Sequence, residues 1–287
     1  MSVSISKSSA ARGGSTLLPV QDYDLAATLA SGQVFNWQLD KSGWSGVVAG
    51  RWVRLNAKPA AIEVQVADFP SDWSWLKNFL QTEVNLAEVL ATFPDDDQDL
   101  QAAVRDCRGL RLLRQEPWEC LASFILSSTK QIVQIRQIVR LLGERYGQRV
   151  VTDQPDQPGQ PAYAFPTPER LAALSETDLR ACKMGFRAPY LLAAARRVAN
   201  GEIDLGALND LSLAEAREQL LRFDGVGEKI ADCVLLFAYG FPAAFPVDVW
   251  IARALSQFYF RGRKKRPGQL RRFAAQHFGP NAGYAQQ

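Results

Sequence analysis

Between Leu220 and Tyr239 the chain reads LLRFDGVGEKIADCVLLFAY, and this segment constrains the fold more than any other. Two helical stretches are separated only by Gly225-Val226-Gly227, so the backbone must reverse within a few residues, and glycine permits both the turn and the close approach of another backbone. The second helix begins near Glu228, and its first-turn N–H groups have no partner inside the helix. Such a terminus holds a phosphate, and it does so without reading base identity. A plain tight connection between packed helices has the same sequence signature, so the hairpin alone leaves both readings open.

Lys229 falls in that first turn, where the positive end of the helix dipole disfavours an ammonium and makes the free amine easier to reach. A lysine so placed is a candidate nucleophile; a solvated surface lysine is the other reading. Cys233 follows four residues later on the same face, with Leu236 three further on, a spacing that also fits a core face. Asp232 reads as a group that favours the helix dipole. Nineteen positions after Lys229, Asp248 in Phe245-Pro246-Val247-Asp248-Val249-Trp250 ends an extended stretch and starts a helical run, the position of an N-cap. A capping carboxylate can also face a reacting centre, so two helices would each present one charged group to a shared cleft.

Composition narrows the class without naming it. The chain has 287 residues, 47% hydrophobic and 22% charged, enough for one large or two modest domains of an ordinary globular protein. A net charge of +3 points only faintly toward polyanions. Cys107, Cys120, Cys182 and Cys233 form no CxxC pair and His277 is the single histidine, which argues against a zinc or iron–sulfur site and for reduced intracellular thiols. No apolar run approaches the length of about 18 residues that a membrane span needs. The polar opening MSVSISKSSAARGGS lacks an apolar signal core and reads as a disordered tail over residues 1–16.

Residues 17–105 read as a small α+β domain. A short helix over Asp22 to Leu29 precedes a Ser31-Gly32-Gln33 turn, and strands follow over Gly43 to Val48, Arg51 to Leu55 across an Ala49-Gly50 turn, and Ile62 to Val66. In the last, Ile62, Val64 and Val66 alternate with polar residues, as on a half-buried antiparallel strand. Helical texture begins near Asp72, with Trp75, Phe79, Leu86 and Leu90 facing inward. Residues 106–287 read as all-helical, with Pro117 opening a buried helix over Trp118 to Leu126 and Gln131 to Tyr146 forming an amphipathic one. The five prolines between Thr152 and Pro168 mark a long surface loop.

The segments GVGEKIADCVLL and FPVDVW resemble the 8-oxoguanine DNA glycosylase/AP lyase family of the helix–hairpin–helix DNA glycosylase superfamily. Ser31-Gly32-Gln33-Val34-Phe35-Asn36-Trp37, Gly109 to Pro117, Met184-Gly185-Phe186-Arg187-Ala188, Phe278-Gly279-Pro280 and Gly283-Tyr284-Ala285-Gln286 are similar to family segments in the family's order, from about residue 17 to the C-terminus. The resemblance implies an antiparallel sheet domain followed by a helical glycosylase core. It implies that Lys229 attacks the anomeric carbon and forms a Schiff base, that Asp248 stabilises the sugar's developing charge, and that Gly32, Cys233 and Gln286 line the base pocket. Gly225, Val226, Gly227, Phe186, Arg187, Thr129 and Lys130 would meet DNA, Phe186 as a wedge and Arg187 at the estranged cytosine. Phe186 beside a turn also fits a core position.

Several positions depart from the family pattern. Thr129 stands where asparagine is common, Gln134 where arginine is, Trp250 where histidine is, and Asp224 where proline often precedes the hairpin. The chain ends at Gln287, a helical turn before the family's lesion-stacking aromatic, which reads as a truncated C-terminus. The run Arg261 to Arg266, with Arg271 and Arg272, is either a phosphate-tracking patch or a solvated loop. The expected partner is damaged double-stranded DNA, bound by a monomer without cofactor, metal or membrane. Excision of alkylated purines through Asp248 alone and a non-catalytic DNA-binding module are the competing functions.

Overall fold

The computed structural model describes residues 13–128, 131–152 and 161–287. Its first layer is built by strict alternation. β5 (Ala61–Val66) buries Ile62, Val64 and Val66 and leaves the residues between half-buried, while β4 (Arg51–Lys58) meets it with Leu55 opposite Val64. β3 (Gly43–Val48) joins β4 through a two-residue turn in which Ala49 and Gly50 both have positive φ, 49° and 72°, the geometry that matches the natural twist of a hairpin. β2 (Gln38–Asp40) and β1 (Gly14–Pro19) form the two edges, so the antiparallel order is β1-β5-β4-β3-β2.

β1 corrects the expected tail. Gly14, Ser15 and Thr16 are paired with Val66, Gln65 and Val64, so ordered structure begins before residue 17. The cause is non-local: a small, polar segment becomes a strand because β5 offers it a free edge. Residues 1–12 lie outside the described residues.

α1 (Leu25–Ala30), capped by Asp24, and α2 (Ser74–Leu80) cover this sheet, and Trp37 stacks on Phe79 at 5.8 Å within their shared core. The next two helices belong elsewhere. α3 (Leu86–Leu90), the connection after it and α4 (Gln98–Asp106) turn Leu90, Phe93 and Leu100 toward Phe245, Leu255, Leu270 and Phe278, residues from the other end of the chain. The division expected near residue 105 therefore cuts through a hydrophobic cluster, because the apolar faces of α3 and α4 find their partners among the last helices.

The central core is helical. α5 (Pro117–Ser127) carries its proline in the first turn, is buried along most of its length, and packs against α6 (Ile132–Tyr146) and α9 (Ala188–Ala199). α7 (Pro168–Ala172) and α8 (Glu176–Arg180) brace α9. α10 (Leu213–Leu221) and α11 (Glu228–Val234) form the helix pair expected around the hairpin, and α11 continues as a π-helical turn over Leu235–Tyr239. α12 (Val249–Phe258), α13 (Pro267–His277) and α14 (Ala282–Gln286) close the chain. Among the described residues, no helix is long and apolar enough to cross a membrane.

Candidate active site

The hairpin between α10 and α11 is fixed by what glycine alone can do. Gly225 has φ +79°, and a Cβ on it would lie 2.8 Å from the Tyr190 ring, so both its backbone and its lack of a side chain are required. Val226 points inward and is buried, leaving the peptide groups of the turn at the surface. Gly227 is the N-cap of α11 and supplies no capping side chain, so the first-turn amides remain available to an anion.

Lys229 lies in that turn, half-buried, with Nζ 3.5 Å from Ser127 Oγ at the end of α5 and 5.3 Å from the centre of the Phe124 ring. Cys233, one turn later, is 3% exposed. Burial pushes its thiol up to about 12, while the charge and hydrogen bond of Lys229 pull down and Asp232 and Asp248 push up. Lys229 and Asp248 thus act on the same sulfur, which therefore stays a neutral thiol at physiological pH. Asp248 is the N-cap of α12, accepting the Ile251 amide at 2.8 Å through Oδ1. The cap uses one carboxylate oxygen and leaves the second to spare.

Asp232 does more than favour a dipole. It is fully buried between Arg217 of α10 (2.7 Å) and Arg271 of α13 (3.9 Å), and Arg271 also holds Glu228 at 2.5 Å. Burial raises the Asp232 carboxyl and the attraction of Arg217 opposes that rise. This network locks the back of the hairpin and takes Arg271 out of the expected phosphate-tracking set. Arg261, Arg263, Lys264 and Lys265 stay exposed and, among the described residues, form no ion pair.

The opposite wall comes from the two ends of the chain. Gly32 has φ +88°, and a Cβ there would press within 3.2 Å of the Ile132 side chain. Its turn is held by Gln33, whose buried amide donates to the Thr28 and Arg111 carbonyls and accepts from the Leu113 amide, with Gln115 returning a bond to the Gln33 carbonyl at 2.6 Å. Gln287 Nε2 reaches Ser31 O at 3.4 Å, so α14 lies beside this turn. Gln286 Oε1 is buried without a hydrogen-bond partner among the described residues. The glutamine brace and Ser127 escaped sequence reasoning, since neither has a periodic or spacing signal.

The DNA-facing set divides. Phe186 is 55% exposed, on a single 3-10 turn that follows a left-handed Gly185, whereas Arg187 is 1% exposed, with Nε 3.2 Å from Ser128 Oγ and its guanidinium 4.2 Å from the Phe186 ring centre. Arg187, expected at the estranged cytosine, is thus covered in the protein by itself, held beside Ser128 at the end of α5. Gln134 caps α6 at its exposed start. Thr129 and Lys130 lie outside the described residues.

The helical hairpin, with a lysine in the first turn after it and an aspartate at the start of the next helix, is the pattern of a lysine-bearing helix–hairpin–helix glycosylase. Residues 122–280 match the HhH-GPD superfamily of base excision DNA repair proteins, and residues 15–121 match the 8-oxoguanine DNA glycosylase N-terminal domain. The chain belongs to the 8-oxoguanine DNA glycosylase family of that superfamily. It is 31% identical to an N-glycosylase/DNA lyase OGG1 of Arabidopsis thaliana, over 91% of this chain and 75% of the relative. It is 29% identical to a probable N-glycosylase/DNA lyase of Methanothermobacter thermautotrophicus, over 94% and 93%. The apo 8-oxoguanine glycosylase/lyase of Clostridium acetobutylicum superposes with a TM-score of 0.85 at 29% identity, over 95% of this chain and 94% of that one. That clostridial protein has also been solved with double-stranded DNA carrying cytosine opposite 8-oxoguanine, with a TM-score of 0.83 at 28% identity, over 94% of each chain.

Proposed function

We infer that this protein is a bifunctional DNA glycosylase and AP lyase that removes 8-oxoguanine from duplex DNA in base excision repair. The observation that carries the reading is an amine and a carboxylate on successive helices, Lys229 in the first turn after the hairpin with Nζ 3.5 Å from Ser127 Oγ, and Asp248 at the start of α12 accepting the Ile251 amide. The hairpin amides hold the phosphate backbone and the damaged nucleotide leaves the stack, since a base inside a duplex cannot present its sugar to a side chain. Lys229 attacks the anomeric carbon, the bond to the base breaks, and the base departs with the bonding electrons and takes up a proton. Asp248 faces the positive charge that develops on the sugar. Loss of a proton from the bound nitrogen gives an aminal; the C1′–O4′ bond then breaks, O4′ takes up a proton and the opened sugar is held as a Schiff base, from which loss of a C2′ proton and departure of the 3′ phosphate by β-elimination cut the strand.

Gly32, Cys233 and Gln286 surround the everted base in this reading, and the orphaned Gln286 Oε1 is an acceptor waiting for a donor on it. Borohydride reduces a Schiff base to a permanent bond, so incubation with lesion duplex and borohydride yields a covalent complex. Lys229→Gln abolishes it; a Lys229→Gln variant that is still trapped refutes the assignment. The same assay with 8-oxoguanine opposite each of the four bases sets the opposite-base preference.

A further inference from the structure

The chain keeps its tryptophans covered with one exception. All seven lie among the described residues, and six are buried or half-buried, while Trp250 is 70% exposed. Its neighbour Val249 is 75% exposed. Helix α12 has no packing need for either: it docks through Leu255, supported by Ile251 and Ala252, on the cluster formed with α3, α4 and α13. Two large apolar side chains therefore stand in water on the turn that begins at Asp248. Arg253, one turn along, places its guanidinium 5.0 Å from the centre of the indole ring. That cation–π contact fixes the ring's orientation and occupies one part of it, leaving the rest open.

A pre-oriented, exposed indole two residues after Asp248, in the helical turn that this carboxylate caps, has the chemistry of a stacking platform, because every base offers a π face. We propose that Trp250 stacks on the everted base and thereby selects for nucleotides that still carry one; this rests on the function inferred above. Trp250 makes no bond to the base. It lowers the energy of the everted state before Lys229 attacks, so its effect falls on base excision and not on the later cleavage of a sugar that has already lost its base. A phosphodiester contact by Trp250 and Arg253 would instead act on both substrates alike.

The test uses the two activities of one enzyme. Base excision from 8-oxoguanine duplex and strand cleavage at a preformed abasic site are measured for the unsubstituted protein, Trp250→Phe and Trp250→Ala. Stacking predicts that Trp250→Ala lowers kcat/KM for excision about tenfold or more while Trp250→Phe keeps most of it. Cleavage at the abasic site stays within about twofold in both, which also shows that the variants fold. Equal loss on the two substrates, or no loss on either, overturns the proposal. Absence of any excision that depends on Lys229 in the unsubstituted protein refutes the function itself, a result distinct from intact excision in Trp250→Ala.

Discussion

Asp97 ties the early helices to the end of the chain, and replacing it separates them by a calculable amount. Its side chain is 6% exposed; it caps α4 by accepting the Leu100 amide at 2.9 Å, accepts the Tyr259 hydroxyl at 2.7 Å, and lies 2.7 Å from His277 Nε2. Asp97→Ala removes a cap, costing about 1 kcal/mol, and two further polar contacts at about 1 kcal/mol each. The total, about 3 kcal/mol, lowers the thermal midpoint of a protein this size by roughly 6–12 °C. Asp97→Asn keeps an acceptor for the cap and costs about 1 kcal/mol. Burial works against the charged carboxylate here, but the bonds from Leu100, His277 and Tyr259 outweigh it and hold the group below its ordinary 3.8. The folded protein thus releases this proton more readily than the unfolded chain. The stabilisation is whole above the ordinary carboxylate range and is lost as pH falls through the depressed folded value. Thermal unfolding across that range tests the reasoning: an Asp97→Ala midpoint within 2 °C of wild type, or a gap between wild type and Asp97→Asn that does not close in acid, refutes it.

The buried network behind the hairpin gives a second expectation: Asp232→Ala strands Arg217 beside an empty site, costs about 3 kcal/mol, and weakens DNA binding because α10 and α11 lose their common lock. Unfolding in urea and salt-dependent DNA titration measure the two effects, and an unchanged hairpin affinity would count against the lock. Glu119 behaves in the opposite sense to Asp97. Burial first, and then Glu116, push its carboxyl from 4.5 up to about 8, so its contribution is fully present below 4.5 and disappears as pH rises toward 8. Glu119→Gln still accepts from Asn36 Nδ2, which lies 2.6 Å from the present Oε1, and it matches wild type near pH 4.5 but unfolds at a higher temperature at pH 8. Equal midpoints at both pH values would show that Glu119 is charged throughout.

Local signals made much of this protein readable. Alternation at Ile62, Val64 and Val66 needs only a two-residue period, and Pro117 announces a helix start by lacking an N–H. The hairpin was legible because Gly225 solves a backbone problem that other residues cannot. β1 was not, since Gly14–Thr16 carry no apolar rhythm and become a strand only against β5. That Arg187 is covered and that Arg271 is paired with Glu228 was not legible either, because sequence shows charge without showing what covers it or pairs with it.

The sequence by itself determined the elements, the hairpin and the identities of Lys229 and Asp248, because helix starts, caps and turns depend on residues within a few positions of each other. Only the tertiary structure decided which of these groups meet. Lys229 meets Ser127, Gln287 touches Ser31, and Asp97 holds Tyr259 and His277. Such contacts join residues tens to hundreds of positions apart, and they form where buried apolar faces coincide, a match that no local pattern encodes.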